Sequence, residues 1–216
     1  MTTRTSAVIV AAVGISFAAG MAVSQNQPGP DQNGIKAQMM AALEQKGQPA
    51  PEHRRLEALV GDFDLTVSMM MGPGVPPVTA RSSVRGEWVL GGRFVRITSE
   101  AVEDETLKMS SISYVGYDKR KNKYFWWGID TTDTYSVFAE GVYDEATRSI
   151  VLYGVNFEPE MGGESRFRTT FALDGPDAHG LSVAFELPAE MRGMMPQDAL
   201  DEEGFMTIME SRATRR

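Results

Sequence analysis

The sequence predicts an all-β fold, an antiparallel up-and-down β-barrel of about ten strands preceded by short N-terminal helices. Three observations carry that expectation. From Gly61 onward, short runs rich in Val, Ile, Phe, Tyr and Trp are separated by Gly, Asp, Asn and Pro, which is the chemistry of half-buried strands joined by tight turns. No crossover helix separates these strand runs, so they must pair as antiparallel neighbours. A meander of this length exposes two unpaired edges, and closing on itself removes both.

The chain opens with Arg4 and an uncharged run from Ala7 to Val23. Ala22 and Ser24 are small residues at the −3 and −1 positions for a cut before Gln25, which fits a secretory signal peptide. An uncleaved anchor is the alternative, since the run is at the short end of what spans a bilayer. The expected plan is therefore residues 1–24 as signal peptide or anchor, 25–50 as linker and short helix, and 51–216 as the barrel. The expected location is the periplasm or the extracellular space. The chain has no Cys, so neither a disulfide framework nor a lipid-modified cysteine supports it, and the fold must stand on its core. A formal net charge of −8 argues against nucleic acid and anionic membrane as partners, leaving membrane contact only to residues 7–23 if they are retained.

Ile35, Met39 and Leu43 form one apolar stripe of a short helix that stops at Gly47, read as packing residues. Glu52 to Val60 is a second amphipathic helix with Pro51 in its first turn, Leu56, Leu59 and Val60 on one face and Gly61 as terminator. His53 falls on its polar first turn and reads as a surface residue, with no second ligand at metal-binding spacing.

Strand one is Gly61 to Met71, alternating Phe63, Leu65, Val67, Met69 and Met71. Strand two, Val78 to Leu90, turns through Gly91-Gly92 into strand three, Arg93 to Glu103, as a two-residue hairpin. Strands four and five are Thr106 to Tyr117 and Lys123 to Asp130; six and seven are Thr134 to Tyr143 and Ser149 to Phe157. Gly116-Tyr117-Asp118 and Val142-Tyr143-Asp144 each lead through polar residues into a new apolar run, predicting two similar hairpins built on type I turns. Strand eight is Glu164 to Leu173, the turn is Asp174 to Gly180, strand nine is Leu181 to Leu187, and strand ten is Gly204 to Ser211.

Several of these residues recur in a fixed order: Leu59-Val60-Gly61-Asp62-Phe63, Met71-Gly72-Pro73-Gly74 with Pro76-Pro77, Leu90-Gly91-Gly92-Arg93-Phe94, and Gly116-Tyr117-Asp118. That order resembles the domain of unknown function 1579 family, a calycin-like group related to lipocalins and fatty-acid-binding proteins, over about Glu52 to Arg212. The resemblance implies an up-and-down barrel and no particular reaction. Calycins open strand one with Gly-x-Trp, the Trp packing on an Arg of the last strand. Here Phe63 takes the aromatic place and Arg212 is the matching cation; Phe63 can stack under a guanidinium but has no indole N–H to donate. Family members often carry Trp-Ile-Asp in strand five, whereas this chain has Trp126-Trp127-Gly128-Ile129-Asp130, which moves the aromatic to the other face.

For chemistry the sequence offers little. It has no Gly-x-Ser-x-Gly elbow and no phosphate-cradling loop, and its only two histidines are His53 and His179, so no cofactor or metal is called for. Asp130, at the end of the Trp-Trp strand, is the one carboxylate placed to reach a barrel mouth, as acid or hydrogen-bond acceptor, and otherwise a turn-initiating Asp before Thr131. Trp126 and Trp127 face opposite ways; the pattern leaves open which points inward. Arg96 and Glu100 share a strand face, either as a buried pair or as part of a surface ladder. Met69–Met71 with Met191, Met194 and Met195 fit adaptable apolar filling, with a soft surface gating the barrel mouth and thioether binding of Cu(I) as the functional alternatives.

The leading expectation is an exported, non-enzymatic barrel that binds a small apolar or amphipathic molecule. Trp126 or Trp127, Tyr135 and Phe138 would be its walls, and Asp130 or Arg96 its polar anchor. The alternatives are a carboxylate-dependent hydrolase or isomerase using Asp130 with Tyr135, and a solid barrel whose outside binds another envelope protein. Interior volume separates them, since ligand pockets usually enclose about 300 Å³ or more.

Overall fold

The computed structural model describes residues 31–72, 75–102, 108–158, 163–193, 195 and 199–216. The expected leader, most of the linker before Asp31, and Pro73, Gly74 and Met194 lie outside these residues. By its internal contacts the chain divides into two units, 1–46 and 47–216. In the first, helix α1 runs Gln32–Gly47, longer than expected at both ends, and none of its residues is buried. The Ile35, Met39 and Leu43 stripe, read from the sequence as packing, is exposed.

The second unit holds a 3-10 helix, Pro51–Leu59, then β1 (Gly61–Met69), β2 (Val78–Val89), β3 (Phe94–Ala101), β4 (Ser111–Asp118), β5 (Lys123–Asp130) and β6 (Val137–Asp144). These lead on to β7 (Ser149–Glu158), β8 (Gly163–Leu173), β9 (Ala178–Glu186), the short helix α2 (Ala189–Arg192) and β10 (Phe205–Arg215). Each strand pairs antiparallel with its sequence neighbour, and β1 pairs with β10 to close the barrel. The expected fold class is therefore the observed one. Its strand ends shift where turn chemistry takes over: β6 starts at Val137 rather than Thr134, while Glu103 and Thr106, the expected end of strand three and start of strand four, lie outside the described residues.

Up-and-down topology puts alternate connections at opposite ends. At one end lie residues 90–93, 119–122, 145–148 and 174–177, four residues apiece. The two Tyr-Asp turns are copies of one design. Asp118 Oδ1 accepts the Arg120 N–H at 2.9 Å and Asp144 Oδ1 accepts the Ala146 N–H at 2.9 Å, with Asn122 and Arg148 closing the turns at φ 55° and 51°. The Gly91-Gly92 hairpin is wider than the expected two residues. Val89 pairs Phe94, and Leu90, Gly91 and Gly92 all take positive φ.

The 3-10 helix plugs this same end. Its period of three, rather than the 3.6 of the expected α-helix, places His53, Leu56 and Leu59 on one face, and all three are buried. That corrects the surface reading of His53. Its ring meets Tyr117 edge-on at 5.8 Å, its Nδ1 accepts the Ala50 N–H at 3.0 Å, and burial pushes its pKa down. Leu56 and Leu59 pack among Val95, Val115, Tyr124, Ile150 and Leu152, the main core. Gly86 of β2 permits the close approach: a Cβ there would stand 1.7 Å from the Leu59 carbonyl oxygen.

The clamp on strand one is not the expected one. The guanidinium over Phe63 belongs to Arg215, 4.8 Å from the ring centroid, while Arg212 pairs with Asp174 at 2.7 Å on the outside. Strand parity gives the reason. Positions 212 and 215 lie on opposite faces of β10, and Phe63 is the register partner of Arg215. Arg215 also donates to the Val60 carbonyl at 3.0 Å and the Pro176 carbonyl at 2.7 Å, tying the start of β1 to the last short turn.

Candidate functional site

Between the plug and the opposite end, the barrel interior keeps a cavity of about 100 Å³. Its walls are mainly apolar, with Leu65, Val67, Val84, Ile97, Phe171 and Leu181 from five strands. Trp126 is the inward tryptophan, meeting Phe171 edge-on at 6.4 Å. Gly128, two residues on and on the same face, leaves the indole its space, since a Cβ there would stand 3.1 Å from Trp126 Cζ2. Met109 and Met209 also line the space. Among the expected methionines, Met70, Met71 and Met191 are exposed.

The polar part of the lining is a set of hydroxyls, Ser99, Ser111, Ser113 and Ser211, together with His179. His179 is 6% exposed, and among the described residues neither of its ring nitrogens has a hydrogen-bond partner; the Ser99 hydroxyl is equally orphaned. Native interiors rarely leave such groups without one, so water or a ligand is the natural complement. The imidazole stands edge-on to Phe63 at 4.8 Å, with Arg215 on that ring. Burial first, then the Arg215 charge, lowers the His179 pKa to about 4 against a weaker opposing pull from Asp174, so the ring is neutral near pH 7. At the outer lip, Ile129 and Asp130 are exposed.

The structure divides the sequence-predicted residues. Trp126 and Asp130 reach the cavity. Asp130 starts the next turn, its Oδ1 accepting the Thr132 N–H at 2.7 Å and the Thr132 hydroxyl. Trp127 lies on the outer face against Tyr114, ring centroids 6.0 Å apart. Phe138 is stacked on Phe125 outside the barrel and is 48% exposed, and Tyr135 is exposed in the loop after β5. Arg96 also faces out and forms an ion pair with Glu87, its register partner across β2 and β3; this is the ladder arrangement, with Glu87 rather than Glu100.

The sequence pattern puts His179 in a turn from Asp174 to Gly180, whereas β9 already begins at Ala178. The signal was available: the other short turns at that end suggest a turn of similar length, which puts residue 179 inside a strand. Ser99, Ser111, Ser113 and Ser211 escape that pattern because hydroxyls in a strand read as the outward set. Among the described residues there is no group of three His, Asp or Glu side chains able to hold a metal ion.

A family model described as Protein of unknown function (DUF1579) matches residues 48–199. No curated protein matches. Among solved structures, the chain is similar to that of Rv2717c from M. tuberculosis, with 14% identity, 78% of this chain and 99% of that chain covered, and a TM-score of 0.50. A redesigned β-barrel, mFAP0, bound to DFHBI matches over 73% of this chain and 99% of that chain at 9% identity and a TM-score of 0.34. At 14% identity the likeness to Rv2717c concerns the fold alone.

Proposed function

The chain belongs to the DUF1579 family of proteins of unknown function, and we propose that it is a small-ligand-binding barrel whose site is the Trp126 and His179 cavity. The observation that carries this is the pairing of an apolar chamber with buried polar atoms that no group among the described residues satisfies. Size limits the ligand. A cavity of about 100 Å³ is smaller than the usual ligand pocket, and an apolar cavity of about 150 Å³ is enough for benzene. The occupant is therefore a molecule of several heavy atoms, or the inner end of a longer one whose remainder leaves past Asp130. With the leader read as a signal peptide, binding takes place outside the cytoplasm. Catalysis by Asp130 has less support, because its carboxylate is engaged by Thr132 as a turn cap.

Native mass spectrometry of protein purified from its own host tests this reading. The expected result is a bound small molecule that is absent from a Gly128→Leu variant, whose side chain fills the chamber. A bare protein mass in both would contradict it.

A second reading draws on the outside. Phe94, Phe125 and Phe138 form an aromatic row across β3, β5 and β6, laid over the Cβ-free Gly116, and Val155 and Phe157 nearby are exposed. An apolar row of that kind suits a protein-interaction surface. Loss of a partner on Phe138→Ser, with ligand binding intact, would favour it.

A further inference from the structure

We propose that the cavity selects a neutral molecule with one hydroxyl-type head group, an alcohol or a phenol, which enters head-first and hydrogen-bonds to His179. This rests on the cavity being a ligand site and adds the chemistry of what it takes.

Two features of the chamber carry the inference. The first is the orphaned imidazole. A neutral imidazole offers one N–H donor and one bare nitrogen acceptor, and here both are buried without partners. A hydroxyl can accept from the first or donate to the second; a hydrocarbon can do neither and would leave both unsatisfied. The orphaned Ser99 hydroxyl, in the same lining, adds a further donor and acceptor for such a head.

The second is the charge of the lining. Among the described residues, only hydroxyls, His179 and apolar side chains surround the inner chamber, and the one carboxylate of the lining, Asp130, stands at the lip. A carboxylate or ammonium driven inward would have no charged side chain in the inner lining to pair with, since the Arg215 guanidinium is held on the Phe63 ring and by two backbone carbonyls, and burying an unpaired ion costs several kcal/mol in general. Asp130 adds repulsion to any anion at the entrance. What remains is a neutral head on an apolar body, the body meeting Trp126, Phe171 and Ile97.

Phenol and toluene are the decisive probes, because they have the same shape and heavy-atom count and differ by a hydroxyl in place of a methyl. Titrated into the protein as it stands and followed by calorimetry, phenol is expected to bind at least tenfold more tightly than toluene. In His179→Leu, phenol affinity should fall at least tenfold while toluene affinity stays within a few fold. Should that variant not fold, the native protein gives the same answer. With only two histidines in the chain, ¹⁵N labelling resolves the His179 ring nitrogens, and phenol should shift one of them while toluene leaves it in place. If both probes bind equally and the His179 nitrogens respond alike, the head-group assignment is wrong and the ligand cavity stands. If neither binds, the chamber is a hydrated void, and both this assignment and the ligand-binding reading fall.

Discussion

The two ends of the barrel are built on different terms. At one, four four-residue turns, the 3-10 plug and the Arg215 clamp leave little to move. At the other, the connections span residues 70–77, 102–110, 131–136, 159–162 and 187–204, all but one of them longer than four residues, and the chamber lies between that end and the core. The contrast suggests a division of labour. Stability is concentrated where the helix inserts, and the chamber above it keeps unsatisfied polar groups, His179 at its floor beside the Phe63 and Arg215 clamp and Ser99 in its wall, that a folding core would not tolerate.

Breaking the plug should have the largest effect. Gly86→Val drives a side chain into the Leu59 carbonyl and must lift the 3-10 helix, so we expect a loss of roughly 3–5 kcal/mol in denaturant unfolding. A comparable substitution at the lip, Asp130→Asn, keeps the turn cap and should change stability by less than about 0.5 kcal/mol.

Acid separates the chamber from the plug. His179 has a folded pKa of about 4, below the unfolded value near 6.5, so the unfolded chain takes up the proton first as pH falls. The contribution is whole above pH 6.5 and is lost progressively down to about pH 4. Over that window the native protein should lose on the order of 3 kcal/mol that His179→Leu does not lose, read from unfolding midpoints at a series of pH values. Parallel curves for the two proteins would show that His179 is not buried neutral.

The clamp gives a smaller effect. Arg215→Ala removes a cation-π contact and two hydrogen bonds to backbone carbonyls and should cost about 1–2 kcal/mol. Arg212→Ala removes an exposed ion pair and should cost less than about 0.5 kcal/mol. Equal losses would mean that the strand parity of β10 is misassigned.

How far the sequence disclosed all this depends on the end. Strand five was readable to its bounds, Lys123–Asp130, and the twin Tyr-Asp turns were readable as hairpins, because aromatic alternation and Asx chemistry act locally. His53 was hidden by a helix period of three where 3.6 was assumed, and Arg215 by a strand that runs four residues past the expected end. The register shift between Thr207 and Met209 was hidden too, and it changes which β10 residues face inward. The chamber was the least legible. Its polar residues, His179 and the serines, look like solvent-facing positions until closure of the barrel turns them inside.

The three tryptophans report on three places at once. Trp88 donates to Glu57 at 2.8 Å beside the plug, Trp126 faces the chamber, and Trp127 lies outside against Tyr114. In a ¹⁵N correlation spectrum with phenol added, binding in the chamber predicts that the Trp126 indole signal moves while Trp88 and Trp127 stay fixed. Movement of Trp127 or Trp88 with Trp126 unchanged would place the ligand elsewhere and contradict it.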